Sequence, residues 1–95
     1  MAKKELLVPV LVTTQHRGVF FGWAREDELQ LRSLHLERCR CCISWSSDIG
    51  GFLGLASVGP SAKCRIGTQA DKVLLHDITS VSVCSETAVE AWTKA

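Results

Sequence analysis

Cys39, Cys41 and Cys42 crowd into four positions, and Cys64 stands further along the chain. Cys39 and Cys42 have the Cys-x-x-Cys spacing, and Cys64 or a histidine would complete a tetrahedral zinc set. On a strand, however, Cys39 and Cys41 point one way and Cys42 the other, so the thiols do not converge without a bulge. Free cysteine is also among the most buried residue types. A redox Cys-x-x-Cys normally opens a helix with a depressed thiol pKa, which this segment does not resemble. The pattern therefore predicts no metal and no cofactor, with Cys39, Cys42 and Cys64 as the weak candidates for one. His16, His35 and His76 are scattered, and His76 and Asp77, being adjacent on an extended chain, face opposite sides. They read as turn or surface histidines. No Gly-x-Ser-x-Gly elbow is present. Nothing here spells out a reaction, and the chain does not read as an enzyme.

Arginine beside glycine is the other theme. His16-Arg17-Gly18 and Cys64-Arg65-Ile66-Gly67 each set a guanidinium next to a residue that admits close approach. Arginine forks grip phosphate in bidentate fashion, and a tryptophan face stacks a planar group. Arg17, Trp23, Trp45 and Arg65 are thus the candidate ligand-binding residues, suited to a small nucleotide-type ligand at a subunit boundary. The competing reading makes these solvated edge arginines and core tryptophans.

The elements that position these residues are mostly short strands. Leu6 to Thr14 is rich in valine and leucine, with Pro9 suggesting an edge or a strand start. Gln15 to Gly18 reads as a turn or bulge, leading into Val19 to Ala24. That strand carries Phe20, Phe21 and Trp23, bracketed by Gly18 and Gly22. Such glycines suit the close approach of another backbone or a ligand. After the polar tip Arg25 to Glu28, Leu29, Leu31, Leu34 and Leu36 alternate with a slip at Ser33 that suggests a bulge. Cys39, Cys41, Ile43 and Trp45 then share one face, opposite Arg38, Arg40, Cys42 and Ser44. Ser46 to Gly51 is a turn. Phe52 to Ala56 reads as a short apolar strand closed by Gly59-Pro60-Ser61, and Cys64 to Gly67 as another brief one. Val73 to Leu75 and Ile78 to Cys84 form a last extended pair with a kink at His76-Asp77. Ser85 N-caps a helix to Trp92, whose Ala88, Val89 and Trp92 dock on the sheet. The fold class is mainly β (α+β): a small antiparallel β domain, meander or sandwich-like, with one short C-terminal helix.

Gly18-Val19-Phe20-Phe21-Gly22, Cys39 to Trp45, Gly54-Leu55-Ala56 and Val83-Cys84-Ser85-Glu86 together resemble a family of small uncharacterised bacteriophage and prophage proteins. The resemblance runs from about Val12 to Trp92. It departs at Cys41-Cys42-Ile43-Ser44, where arginine and aromatics would be expected. It implies a phage setting and a fold of this kind.

Length and charge bound the rest. Ninety-five residues make a single domain, 1–95, with 1–5 expected to be a flexible N-terminus. Eleven Lys and Arg against 10 Asp and Glu argue against a duplex-DNA binder and leave little repulsion between copies, so a homo-oligomer is expected. No run approaches the roughly 20 apolar residues that cross a bilayer. Leu6 to Val12 is short and interrupted by Pro9, unlike a signal peptide. No membrane association is expected, and five cysteines, an odd count, fit a reducing bacterial cytoplasm. Three functions are compatible with these features. The first is a phage accessory protein acting by stoichiometric binding, anti-defence in character, which sequesters a small nucleotide-type signal or blocks a host defence factor. The second is a structural or assembly module of a phage particle. The third is a zinc- or redox-dependent regulator.

Overall fold

The computed structural model describes residues 7–15, 18–29, 33–51 and 53–95. The expected flexible N-terminus, Leu6, His16, Arg17, Leu31 and Phe52 lie outside them. Strands β1 (Leu7–Thr14), β2 (Val19–Arg25) and β3 (Leu34–Ser44) form an antiparallel meander. β4 (Arg65–Ile66) and β5 (Ala70–Leu75) share the far edge of β3, and β6 (Ile78–Val83) pairs with β1. Helices α1 (Gly54–Ser57) and α2 (Glu86–Lys94) complete the chain.

Only His76 and Asp77 separate β5 from β6, yet these strands pair with opposite ends of the run β3-β2-β1. The sheet therefore curls until one kinked segment, 70–83, joins its two ends. Asp77 turns the corner at φ 56°, a left-handed conformation that aspartate tolerates better than most residues. Its carbonyl accepts the Gln15 N–H at 3.0 Å, which ties the corner to the end of β1.

Two cores follow from this curl. Val10, Val12, Ala24, Leu34, Leu36, Cys39 and Leu75 fill its interior, contributed by strands alone. On the outer face, Leu11, Val19, Phe21 and Cys42 meet Ile49, Leu55, Ala56, Cys84, Ala88 and Trp92. β1 contributes to both, so Val10, Leu11 and Val12 are all buried, as expected of a strand covered on both sides. Pro9 thus sits in a central strand and not at an edge. It is tolerated because β6 ends beside it: Cys84 N–H donates to the Pro9 carbonyl at 2.9 Å, and Pro9 owes no N–H in return to a continuing strand.

Ser33 stands just ahead of β3, next to residues outside the described ones, and β3 itself bulges at Arg38. Phe21 faces Arg40 while Trp23 faces Glu37, so β3 carries one extra residue here, and Arg38 has φ 51°. This bulge keeps Leu34, Leu36 and Cys39 all directed inward, which unbroken alternation forbids. Gly22 lies at the same place. A Cβ there would stand 2.8 Å from Leu36 Cβ and 3.2 Å from the Glu37 carbonyl. The space beside Gly22 is taken by β3, and that beside Gly18 by Thr14 and Phe20, so neither glycine leaves room for a ligand.

The expected strand over Phe52 to Ala56 is a helical turn, α1, in its described part. A short apolar run has no period that separates strand from helix, and here packing against α2 decides. Leu55 and Ala56 are buried, and the Leu55 carbonyl accepts Trp92 Nε1 at 2.9 Å. Gly59, at φ 80°, follows α1 where a Cβ would meet Ala91 Cβ at 2.5 Å, so only glycine lets this loop close on α2. α2 starts as its sequence indicates. Ser85 Oγ accepts from Ala88 N–H at 3.1 Å and donates to the Ser57 carbonyl at 2.6 Å. Ser85→Ala removes both bonds and should cost about 1 kcal/mol, read as a lower urea midpoint at unchanged slope.

Candidate functional site

β2 and β3 part after Phe20 and Cys41, and the end of β3 continues past its neighbour. There it gains β4 on its other side, with Cys42 opposite Ile66 and Ser44 opposite Arg65. The exit from β4 is fixed by Gly67, whose N–H donates to the Cys41 carbonyl at 2.8 Å and whose carbonyl accepts Arg40 Nε at 3.1 Å. This joint places Arg65 across from the residue next to Trp45. Ile43 is 57% exposed and Trp45 39%, and Arg65 is also exposed. An exposed aliphatic and an exposed indole thus mark the end of β3, and an exposed guanidinium stands on β4 beside it.

A polar ring braces the loops behind that rim. Ser46 donates to Asp48, Ser46 and Ser61 hydroxyls lie 3.1 Å apart, and Cys64 Sγ is 3.9 Å from Ser46 Oγ and 3.8 Å from Ser61 Oγ. The Cys64 N–H donates to the Ser61 carbonyl at 3.0 Å. The Ser46 hydroxyl bond leads in holding the Asp48 carboxyl below its ordinary range. Partial burial pushes the Cys64 thiol up, but hydrogen bonds from Ser46 and Ser61 together outweigh it and leave the thiol below its ordinary value. A nucleophile also needs a base within reach. His35 lies opposite Leu74 near the start of β3, and His76 is bonded to Ser33 at 3.2 Å, so neither serves Cys64. The ring orders the loops that carry the rim.

The structure sets Arg65 opposite Ser44, the residue before Trp45, and places Trp23 elsewhere, on β2. Trp23 is half-buried, edge-on to Phe21 with centroids 6.4 Å apart, and Arg38 lies over its ring at 4.7 Å. Phe21 in turn stacks on Trp92 at 4.8 Å. The face of Trp23 expected to stack a ligand is thus occupied by Arg38, which the bulge brings there. Arg17 lies outside the described residues. Ile43 was legible only as one member of an alternating strand. Its exposure arises because β3 outruns β2.

The thiols are divided between the cores. Cys39 lies inside the curl, while Cys42 is on the helix side with Cys64 packed nearby. Among the described residues no three of His, Cys, Asp and Glu come together as a metal would require. Burial pushes Cys39 and Cys42 up to about 11 and Cys84 to about 12, from an ordinary 9.0. Because the folded thiols hold their protons more tightly than the unfolded ones, they contribute stability that is complete below pH 9.0 and drains away as pH rises toward 11 to 12. Urea midpoints should accordingly fall as pH rises from 9.0 toward about 11, and Cys84→Ala should flatten that slope relative to the unsubstituted chain.

No helix among the described residues is long and apolar enough to cross a membrane. No curated protein and no solved structure matches the chain. A family model matches residues 7–92, from the first described residue of β1 to the tryptophan that anchors α2. The chain belongs to the family described as a domain of unknown function, DUF6948.

Proposed function

We propose that this protein acts without catalysis, by stoichiometric binding, and that the rim formed by Ile43, Trp45 and Arg65 is the surface it uses. The observation that carries the reading is that Ile43 and Trp45 are exposed at the end of β3, where the exposed Arg65 of β4 pairs with the intervening Ser44. Tryptophan and arginine dominate protein interfaces energetically because each covers much area with few rotatable bonds or with a planar donor fork. A rigid strand also presents them at little ordering cost. The rim is open, and the described groove between α2 and residues 58–62, about 430 Å³, has Glu90 and Lys94 as its charged lining and no arginine. A protein partner fits this arrangement better than a nucleotide-type signal enclosed within one subunit. Resemblance to phage and prophage proteins supplies the setting: an accessory protein in the bacterial host's cytoplasm that blocks a host defence factor.

Affinity capture from bacterial lysate with the unsubstituted chain and with the Trp45→Ala/Arg65→Glu double variant tests this. One host protein should be retained in stoichiometric amount by the first and lost by the second. Equal retention by both would overturn the rim. Native mass spectrometry showing a co-purified small molecule, without a protein, would overturn the choice of partner.

A further inference from the structure

β6 has the sequence Ile-Thr-Ser-Val-Ser-Val, without a charge or a proline. It pairs with β1 along one side, and among the described residues no strand occupies its other side. The direction of its backbone groups follows from the ladder. Cys84 N–H donates to the Pro9 carbonyl, and bonded positions in an antiparallel pair alternate. Ser82, opposite Leu11, and Ser80, opposite Thr13, therefore turn their N–H and C=O toward β1. Val81 and Val83 turn theirs away. No backbone bond from a turn, loop or cap among the described residues reaches those two outward positions.

Soluble proteins guard such edges with charges, proline or extreme shortness, because an open row of N–H and C=O groups templates another strand. The other edges here are guarded: β5 carries Asp71 and Lys72, and β4 is two residues long and includes Arg65. β6 alone has neither device. Val83 is 63% exposed, more than any other large apolar side chain described.

The geometry points to a two-fold dimer of this chain, in which β6 of one copy pairs antiparallel with β6 of the other about an axis at Ser82. Val81 of one copy then faces Val83 of the other, and both pairs so formed exchange N–H and C=O. The outward groups of β6 match themselves under this symmetry, which is what an isologous interface demands. A second copy is the favoured occupant because the strand is self-complementary and a net charge of +1 gives two copies little to repel. The rim at Ile43, Trp45 and Arg65 lies at the end of β3 and on β4, away from β6, so the dimer would present it twice.

Light scattering after gel filtration, over a wide concentration range, tests the dimer. Val83→Pro removes an outward N–H and leaves the β1 ladder untouched. Val83→Lys places a charge on the edge and serves if the proline variant does not fold. The unsubstituted chain should run as two chains at high concentration, and the folded variants as one, with far-ultraviolet circular dichroism unchanged. A monomer at every concentration overturns the inference, as does a dimer that persists in the Val83→Lys variant. Amides of Val81 and Val83 that exchange as fast in the unsubstituted chain as in Val83→Lys overturn it too, because a dimer would then use another surface.

Discussion

Replacing Trp92 by alanine should remove about 3–5 kcal/mol of stability, a large share of the about 5–15 kcal/mol that holds a domain folded. Trp92 is fully buried and joins three parts of the molecule. Its ring stacks on Phe21 of β2 at 4.8 Å, its Nε1 donates to the Leu55 carbonyl of α1 at 2.9 Å, and its backbone belongs to α2. Without the indole, both helices lose their anchor and the outer core opens. The melting midpoint should fall by more than roughly 10 °C for a domain of this size. Trp92→Phe keeps a ring against Phe21 but strands the Leu55 carbonyl, and should cost about 1–3 kcal/mol. Denaturant titrations of the two variants give the comparison. A loss below about 1 kcal/mol for Trp92→Ala would mean that the helices are not held to the sheet through this side chain.

At the rim the expected effect is on binding. Trp45→Ala and Arg65→Glu should each weaken the captured partner by roughly 30-fold or more, because interface hot spots cost about 2 kcal/mol or more on truncation. Arg65 is exposed, and its replacement should change stability by less than about 0.5 kcal/mol. Trp45 keeps part of its surface covered, so its alanine variant should lose somewhat more stability while remaining folded. Leu74→Ala is the matching control: Leu74 is 46% exposed but lies on β5, along the other half of the β3 edge. Biolayer interferometry against the captured partner should rank Leu74→Ala with the unsubstituted chain. Loss of binding in Leu74→Ala, with Trp45→Ala unaffected, would move the interface to the opposite half of that edge.

Much of the architecture was legible because local chemistry and global packing agree. Ser85 is a capping residue and it caps; the kink at His76-Asp77 is present; Cys39 and Cys42 do lie on opposite faces. What was hidden depends on which elements become neighbours. No periodicity reveals that β5 and β6 pair at opposite ends of one sheet, since each is a short extended run either way. The same holds for Pro9, whose tolerance comes from where β6 happens to stop. α1 was hidden because so short an apolar stretch carries no period, and contact with α2 chose its conformation. At the candidate site, Trp45 and Arg65 were visible as residue types suited to recognition. Their approach through Ser44 required the β3–β4 joint, and the withdrawal of Trp23 from the set required a bulge that delivers Arg38 onto its ring.

The central claim is that the working surface is the rim of Ile43, Trp45 and Arg65. Nuclear magnetic resonance of the isotope-labelled chain in clarified bacterial lysate addresses it residue by residue. The account predicts that the signals of Ile43, Trp45 Nε1 and Arg65 broaden selectively on passing from buffer to lysate, that the exposed face of α2 stays sharp, and that Arg65→Glu abolishes the change. Broadening that spares these three residues, or that survives Arg65→Glu, would contradict it.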